Sequence, residues 1–162
     1  MQPTDIYQSQ CLGTNVVYYQ TYQILSYMAE AMGEDQGRFG ALAAELKESI
    51  NQHLWSEDKG YYGQYLYGQP GGYMLSDRSE ALGEALAIIY GVASAERRQT
   101  ISVNTPVLDY GIPCIYPQIP NISPYHNEGI WPFVQAYWNW AQAKAGNEKG
   151  LEHGLAALYR AA

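Results

Sequence analysis

The sequence predicts an all-α fold of three αα-hairpins in series, and two observations carry that prediction. Apolar residues recur at helical spacing in six separate segments. The joins between those segments alternate between a few residues and long stretches, with about 20 to 26 residues before the third and fifth helices. Antiparallel hairpins place their short turns at one end, so the long, tyrosine-rich loops gather at the other. That rim, at the N-terminal ends of alternate helices, is the expected binding face, and strand content is expected to be minor.

Residues 1–14 read as loop, carrying Asp5, Tyr7, Gln8 and Gln10. The first helix is expected over 15–32, with Val16, Val17, Ile24, Leu25, Met28 and Met32 as its apolar positions. Thr14 or Asn15 would cap it and Gly33 would stop it. The second, over 37–55, packs Phe39, Leu42, Ala43, Leu46, Ile50 and Leu54 at i, i+3, i+4, i+7 spacing. Turn chemistry at Ser56–Gly60 leads into a short extended piece, Tyr61–Gly68, and a Gln-Pro-Gly-Gly break. The third helix is expected over 77–90, capped by Asp77 or Ser79 and ended by Gly91, and the fourth over 95–103 behind Ser94. Residues 105–130 are irregular, since Pro106, Pro113, Pro117, Pro120 and Pro124 deny a long helix. A loop of that length inside a compact unit is usually functional. The fifth and sixth helices are expected over 131–145 and 148–162.

The chain has 162 residues, 47% of them hydrophobic, enough for one domain with a real core. Its formal charge of −7, from 9 Lys and Arg against 16 Asp and Glu with no basic run, argues against nucleic acid or an anionic membrane as partner. Sixteen tyrosines and four tryptophans against two phenylalanines favour flat apolar faces with hydrogen-bonding tips, the combination that sugars ask for. Cys11 and Cys114 are too few for a disulfide framework and read as packing residues; neither has metal-ligand spacing with His53, His126 or His153. No metal or cofactor is implied. No signal peptide or membrane-spanning run is legible, and the ends look cut from something longer.

The chemistry concentrates in Tyr125-His126-Asn127-Glu128-Gly129-Ile130-Trp131-Pro132-Phe133. Pro132 fits the first turn of the fifth helix. Glu128 therefore stands just before a helix N-terminus, where the dipole favours an anion. That suits a general base, a ligand to a polar substrate, or a capping group. His126 can orient a sugar hydroxyl or bond the loop backbone. Trp131, Tyr116, Tyr125 and Tyr65 are candidate sugar-stacking platforms, whereas Trp55, Trp138 and Trp140 read as packing. For a partner carboxylate, Asp77, Glu80 and Glu84 lie at or near the start of the third helix and Asp5 lies before the first. Glu80 and Glu84, one turn apart, can equally pair with Arg78 or the neighbouring loop.

The words Leu54-Trp55 … Lys59-Gly60-Tyr61-Tyr62 and Tyr125-His126-Asn127 … Trp131-Pro132 resemble the six-hairpin glycosidases, which include glycogen-debranching amylo-1,6-glucosidases, trehalases and glucoamylases. The pattern His126-Asn127-x-x-x-Trp131-Pro132 is similar to the His-Asn-Gly-Thr-Val-Trp-Pro segment of the debranching group, with Glu128-Gly129-Ile130 in the middle. A Glu-Gly shortly before a Trp is also similar to the trehalase base motif, with one residue fewer to the Trp. The resemblance implies an (α/α)6 toroid with the sugar in its central funnel, of which residues 1–162 would form three of six hairpins, a single partial domain. It also implies an inverting two-carboxylate hydrolase of a neutral oligosaccharide. Glu128 would be a catalytic carboxylate, with His126, Asn127, Trp131, Tyr125, Tyr116, Tyr65 and Asp77 around the substrate. A partial toroid is expected to expose apolar hairpin edges and self-associate.

Two other classes stay open. One is a non-catalytic helical-repeat module that binds a carbohydrate or protein partner; solenoid units usually share sequence, and here they do not. The other is a toroidal cyclase of prenyl chains, weakened by the lack of an Asp-rich metal motif.

Overall fold

The computed structural model describes residues 9–69 and 71–162. Asp5 lies outside them. In chain order the elements are β1 (Ser9–Cys11), α1 (Leu12–Met32), α2 (Gly37–His53), β2 (Trp55–Ser56), β3 (Tyr61–Tyr62), β4 (Tyr65–Gln69) and β5 (Gly72–Leu75). They continue with β6 (Ser79–Glu80), α3 (Ala81–Ile89), α4 (Ala95–Asn104), β7 (Ile115–Tyr116), α5 (Pro132–Ala145) and α6 (Glu148–Ala161).

The helix stops and several caps follow local chemistry. Gly33 and Gly146 end α1 and α5 in the left-handed region, each donating its N–H back to carbonyls of the last turn. Ser94 Oγ accepts from Arg97 N at 3.1 Å to start α4, and Asn147 Oδ1 accepts from Gly150 N at 3.0 Å to start α6. Two starts differ from expectation. Helix α1 begins at Leu12, because β1 leads straight into it; Cys11 sits at the cap position, and Asn15 donates instead to the Cys11 carbonyl at 2.8 Å. Helix α3 begins at Ala81, because Ser79 and Glu80 are drawn into pairing with β7. Its cap is Glu80, and neither Asp77 nor Ser79.

An all-α description is too strict. Among the described residues three small antiparallel sheets, β1-β4-β5, β2-β3 and β6-β7, bridge the helix ends. The Tyr- and Gly-rich segment suits strands, and loop backbone folded under the helix ends has to pair its N–H and C=O groups.

The hairpin scheme holds for two of three pairs. Helix α1 packs along α2 and α5 along α6, but α3 packs between α1 and α5 and makes little contact with α4, which lies on α5 and β3. Only Ile101 and Ser102 of α4 are buried, so it lacks the apolar stripe needed to cover α3. In α3 every residue but Leu82 is buried. The result is a row, α1-α3-α5, with α2 and α6 attached outside it. Trp138 is core, as expected, while Trp140 is 51% exposed. Its position on the uncovered side of α5 overrides the packing role read from its depth in the helix. Trp55 does pack, lying edge-on to Tyr62 and under the Arg97 guanidinium at 4.4 Å.

Candidate functional site

The first turns of α1, α3 and α5 meet around one cavity of about 670 Å³. Cys11, Gly13 and Thr14 border it from the first helix, Glu80 and Leu82 from the second, and Phe133 and Val134 from the third. The loops close it with Gln64, Tyr65, Cys114, Ile115 and His126. Sheet register explains the assembly: β1 against β4 sets Cys11 opposite Tyr65, and β6 against β7 sets Glu80 opposite Ile115. Backbone bonds stitch the same floor, from Leu12 N to Gln64 O at 3.0 Å, Ala81 N to Cys114 O at 3.0 Å and Cys114 N to Gly129 O at 2.9 Å.

Among the described residues Glu80 is the one carboxylate on the cavity wall, and no lysine or arginine accompanies it. Its Oε1 accepts from Leu82 N at 3.1 Å and its Oε2 from Gly83 N at 2.8 Å. Burial pushes its proton affinity up, and the two backbone N–H groups oppose that rise without cancelling it. One turn on, Glu84 is fully buried and neither carboxyl oxygen has a hydrogen-bond partner among the described residues. Burial first and the charge of Glu80 second raise its pKa well above the ordinary carboxylate range. The Tyr62 main chain favours the charged form, yet completes no hydrogen bond with it. Burial likewise raises the Tyr65 phenol, helped by Cys11, and the Cys114 thiol.

Of the residues expected at the site, Tyr65 and His126 border the cavity. His126 stacks on Trp131 with ring centres 4.7 Å apart, and Tyr125 stands edge-on to Trp131 at 5.0 Å. One face of Trp131 is thus covered by its own loop. Asn127 is buried, and its amide serves the loop: Oδ1 accepts from Ile119 N at 2.6 Å and Nδ2 donates to Ile119 O at 3.0 Å and Ile122 O at 3.1 Å. Tyr116 is half-buried on β7, where its carbonyl accepts from Ser79 Oγ at 3.3 Å. Asp77 is exposed, 3.7 Å from the Arg78 guanidinium, and does not border the cavity.

Glu128 is exposed and does not border the cavity either. Its backbone is nonetheless held on both sides, by the buried Asn127 and by the Gly129 carbonyl bonded to Cys114. Gly129 has no substitute there, since a Cβ would lie 2.1 Å from the Tyr125 carbonyl oxygen. Sequence reasoning left Glu80 off the site, weighing it only as a partner carboxylate; the signal for it was a glutamate followed three residues later by a glycine at a helix start. Among the described residues no cluster of three His, Cys, Asp or Glu could hold a metal ion, and no helix is long and apolar enough to cross a membrane.

No protein-family model matches the sequence, and no curated protein matches it. Solved structures do match the fold. The GH63 mannosylglycerate hydrolase from Thermus thermophilus, in complex with Tris, is 16% identical with a TM-score of 0.72, over 96% of this chain and 39% of that one. Its complex with glucose matches at 15% identity and a TM-score of 0.71, over 92% of this chain and 38% of that one. Neutral trehalase from Saccharomyces cerevisiae is 11% identical with a TM-score of 0.70, over 89% of this chain and 29% of that one. The chain therefore spans well under half the length of these proteins, and it shares part of their fold.

Proposed function

We propose that this chain is a portion of a glycoside hydrolase that acts on a neutral glycan through an inverting, two-carboxylate mechanism. The observation that carries the reading is the cavity where three helix starts converge, bordered among the described residues by tyrosine, histidine and a single carboxylate. A wall of those residues without lysine or arginine favours a neutral ligand over an anionic one. Mannosylglycerate hydrolase and trehalase, whose folds it shares, are sugar hydrolases by name.

In this reading Glu128 activates the attacking water. An exposed carboxylate on a backbone fixed at both sides can hold a water against the anomeric carbon while a second carboxyl group protonates the departing oxygen. Inverting enzymes hold the two about 6.5–9.5 Å apart to leave room for that water. Tyr65 and His126 would face the sugar from the cavity wall, Tyr125, Trp131, Tyr116 and Asp77 would meet it from the loops beside the cavity, and Asn127 would hold the loop that presents His126, Tyr125 and Trp131. A second reading, a carbohydrate- or protein-binding module without turnover, is favoured by the separation of Glu128 from the cavity wall.

Tryptophan fluorescence titrated with neutral oligosaccharides, followed by proton NMR of the released anomer, tests both. Saturable binding with release of the inverted anomer is expected. Binding without release supports the module, and saturable response to peptides but to no glycan overturns the glycosidase reading.

A further inference from the structure

Glutamate is an unusual helix cap; Ser, Thr, Asp and Asn reach the first-turn N–H groups with less chain to order. At Glu80 the longer side chain folds back so that each carboxylate oxygen takes one backbone N–H, from Leu82 and from Gly83. Two glycines on two helices make room for it. A Cβ at Gly83 would fall 2.7 Å from Oε2, and one at Gly13 would fall 3.3 Å from the same atom. The carboxylate is thereby locked at the junction of α1 and α3 and borders the cavity.

A carboxylate offers about four acceptor positions on its two oxygens. The backbone occupies one on each oxygen, and because Glu80 borders the cavity it keeps capacity to accept from a ligand hydroxyl there. The nearby wall supplies groups that both donate and accept, Thr14, Gln64 and Tyr65, so a hydroxyl that donates to Glu80 has acceptors and donors within the same cavity for its other bonds.

We propose that Glu80 is a substrate-binding residue that accepts a hydrogen bond from a hydroxyl of a neutral sugar ring seated between the starts of α1, α3 and α5. The inference rests on the glycan reading and deepens it. Glu80 takes no part in bond breaking; it selects the ring by its hydroxyl pattern and fixes its orientation toward the loop that bears Glu128.

The test is calorimetric titration of the full chain with methyl α-D-glucopyranoside, methyl α-D-mannopyranoside and their monodeoxy forms. Removal of one ring hydroxyl is expected to weaken binding about tenfold or more, because it loses its bond to the Glu80 carboxyl group, while removal of other hydroxyls changes little. In Glu80→Gln the parent sugar should weaken to the level of that deoxy form and the discrimination should vanish. Glu80→Asp, which keeps a capping carboxylate but withdraws it from the cavity, should lose the same discrimination with helix content intact by circular dichroism. If both variants unfold, the deoxy series on the wild type decides. No binding of any sugar by the wild type overturns the glycan reading and this inference with it. Sugar binding that Glu80→Gln leaves unchanged overturns this inference alone, as does a preference for D-glucosamine over the neutral sugars, which would make the ligand a cation.

Discussion

Glu80 and Glu84 stand one turn apart on α3 with opposite surroundings: the first carboxylate receives two backbone N–H groups, and the second, fully buried, receives none among the described residues. Two charges cannot both be held there at low cost. Burial first and the charge of Glu80 second favour the protonated form of Glu84, while the two backbone N–H groups favour the charged form of Glu80.

That arrangement sets a pH dependence. The folded pKa of Glu84 is raised, so the native state binds its proton more tightly than the unfolded chain does. Its contribution to stability is complete below the unfolded value of about 4.3 and is lost as pH rises toward the folded value. Glu84→Gln removes the titration. The variant should gain on the wild type by more than ~1 kcal/mol between pH 4 and 8, from the ordinary cost of a buried unpaired group. Urea unfolding at the two pH values measures it, and parallel curves for both proteins would refute the assignment.

Asn127 uses its whole amide on Ile119 and Ile122. Asn127→Ala should cost about 1 kcal/mol or more, since the half-buried Ile119 N–H and C=O lose the side chain that pairs both. Hydrogen exchange should accelerate across residues 117–128 and leave α2 unchanged. Uniform acceleration over the whole chain would show instead that the loop is not a separate unit.

Glu128→Gln keeps shape and removes basicity. On a glycan that is turned over, kcat should fall about 10²-fold or more with binding nearly unchanged. Unchanged turnover would assign Glu128 to the surface and send the search for a base elsewhere.

Val17, Tyr18, Ile24, Tyr27, Met28 and Met32 are exposed along α1. A helix in the middle of a toroid covers such a face with a neighbour, so self-association through it is expected. Sedimentation should show a concentration-dependent dimer that Met28→Lys weakens; a monomer at every concentration would oppose this.

Helix periodicity alone locates the six helices of the described residues to within a few residues, because apolar spacing and Gly, Ser and Asn end signals are local. Other features are not local. The pairing of Cys11 with Tyr65 and of Glu80 with Ile115 joins segments far apart in sequence, so the small sheets, the true start of α3 and the role of Glu80 were hidden. The short link from α3 to α4 suggested a pair, yet α4 has too little apolar surface to form one. The words around Trp131 mark a loop that leads into α5, but which member shapes that loop and which borders the cavity depended on where Asn127 found partners.

The brevity of α3 governs how the molecule comes together. Its 9 residues are too few to hold a helix in water, whereas α1 with α2 and α5 with α6 can each form as a hairpin from near neighbours in sequence. Helix α3 takes shape only once both hairpins are there to flank it. Pulse-labelling during refolding should therefore protect α3 amides last, and the step that completes the core is the same step that brings Glu80 to the cavity.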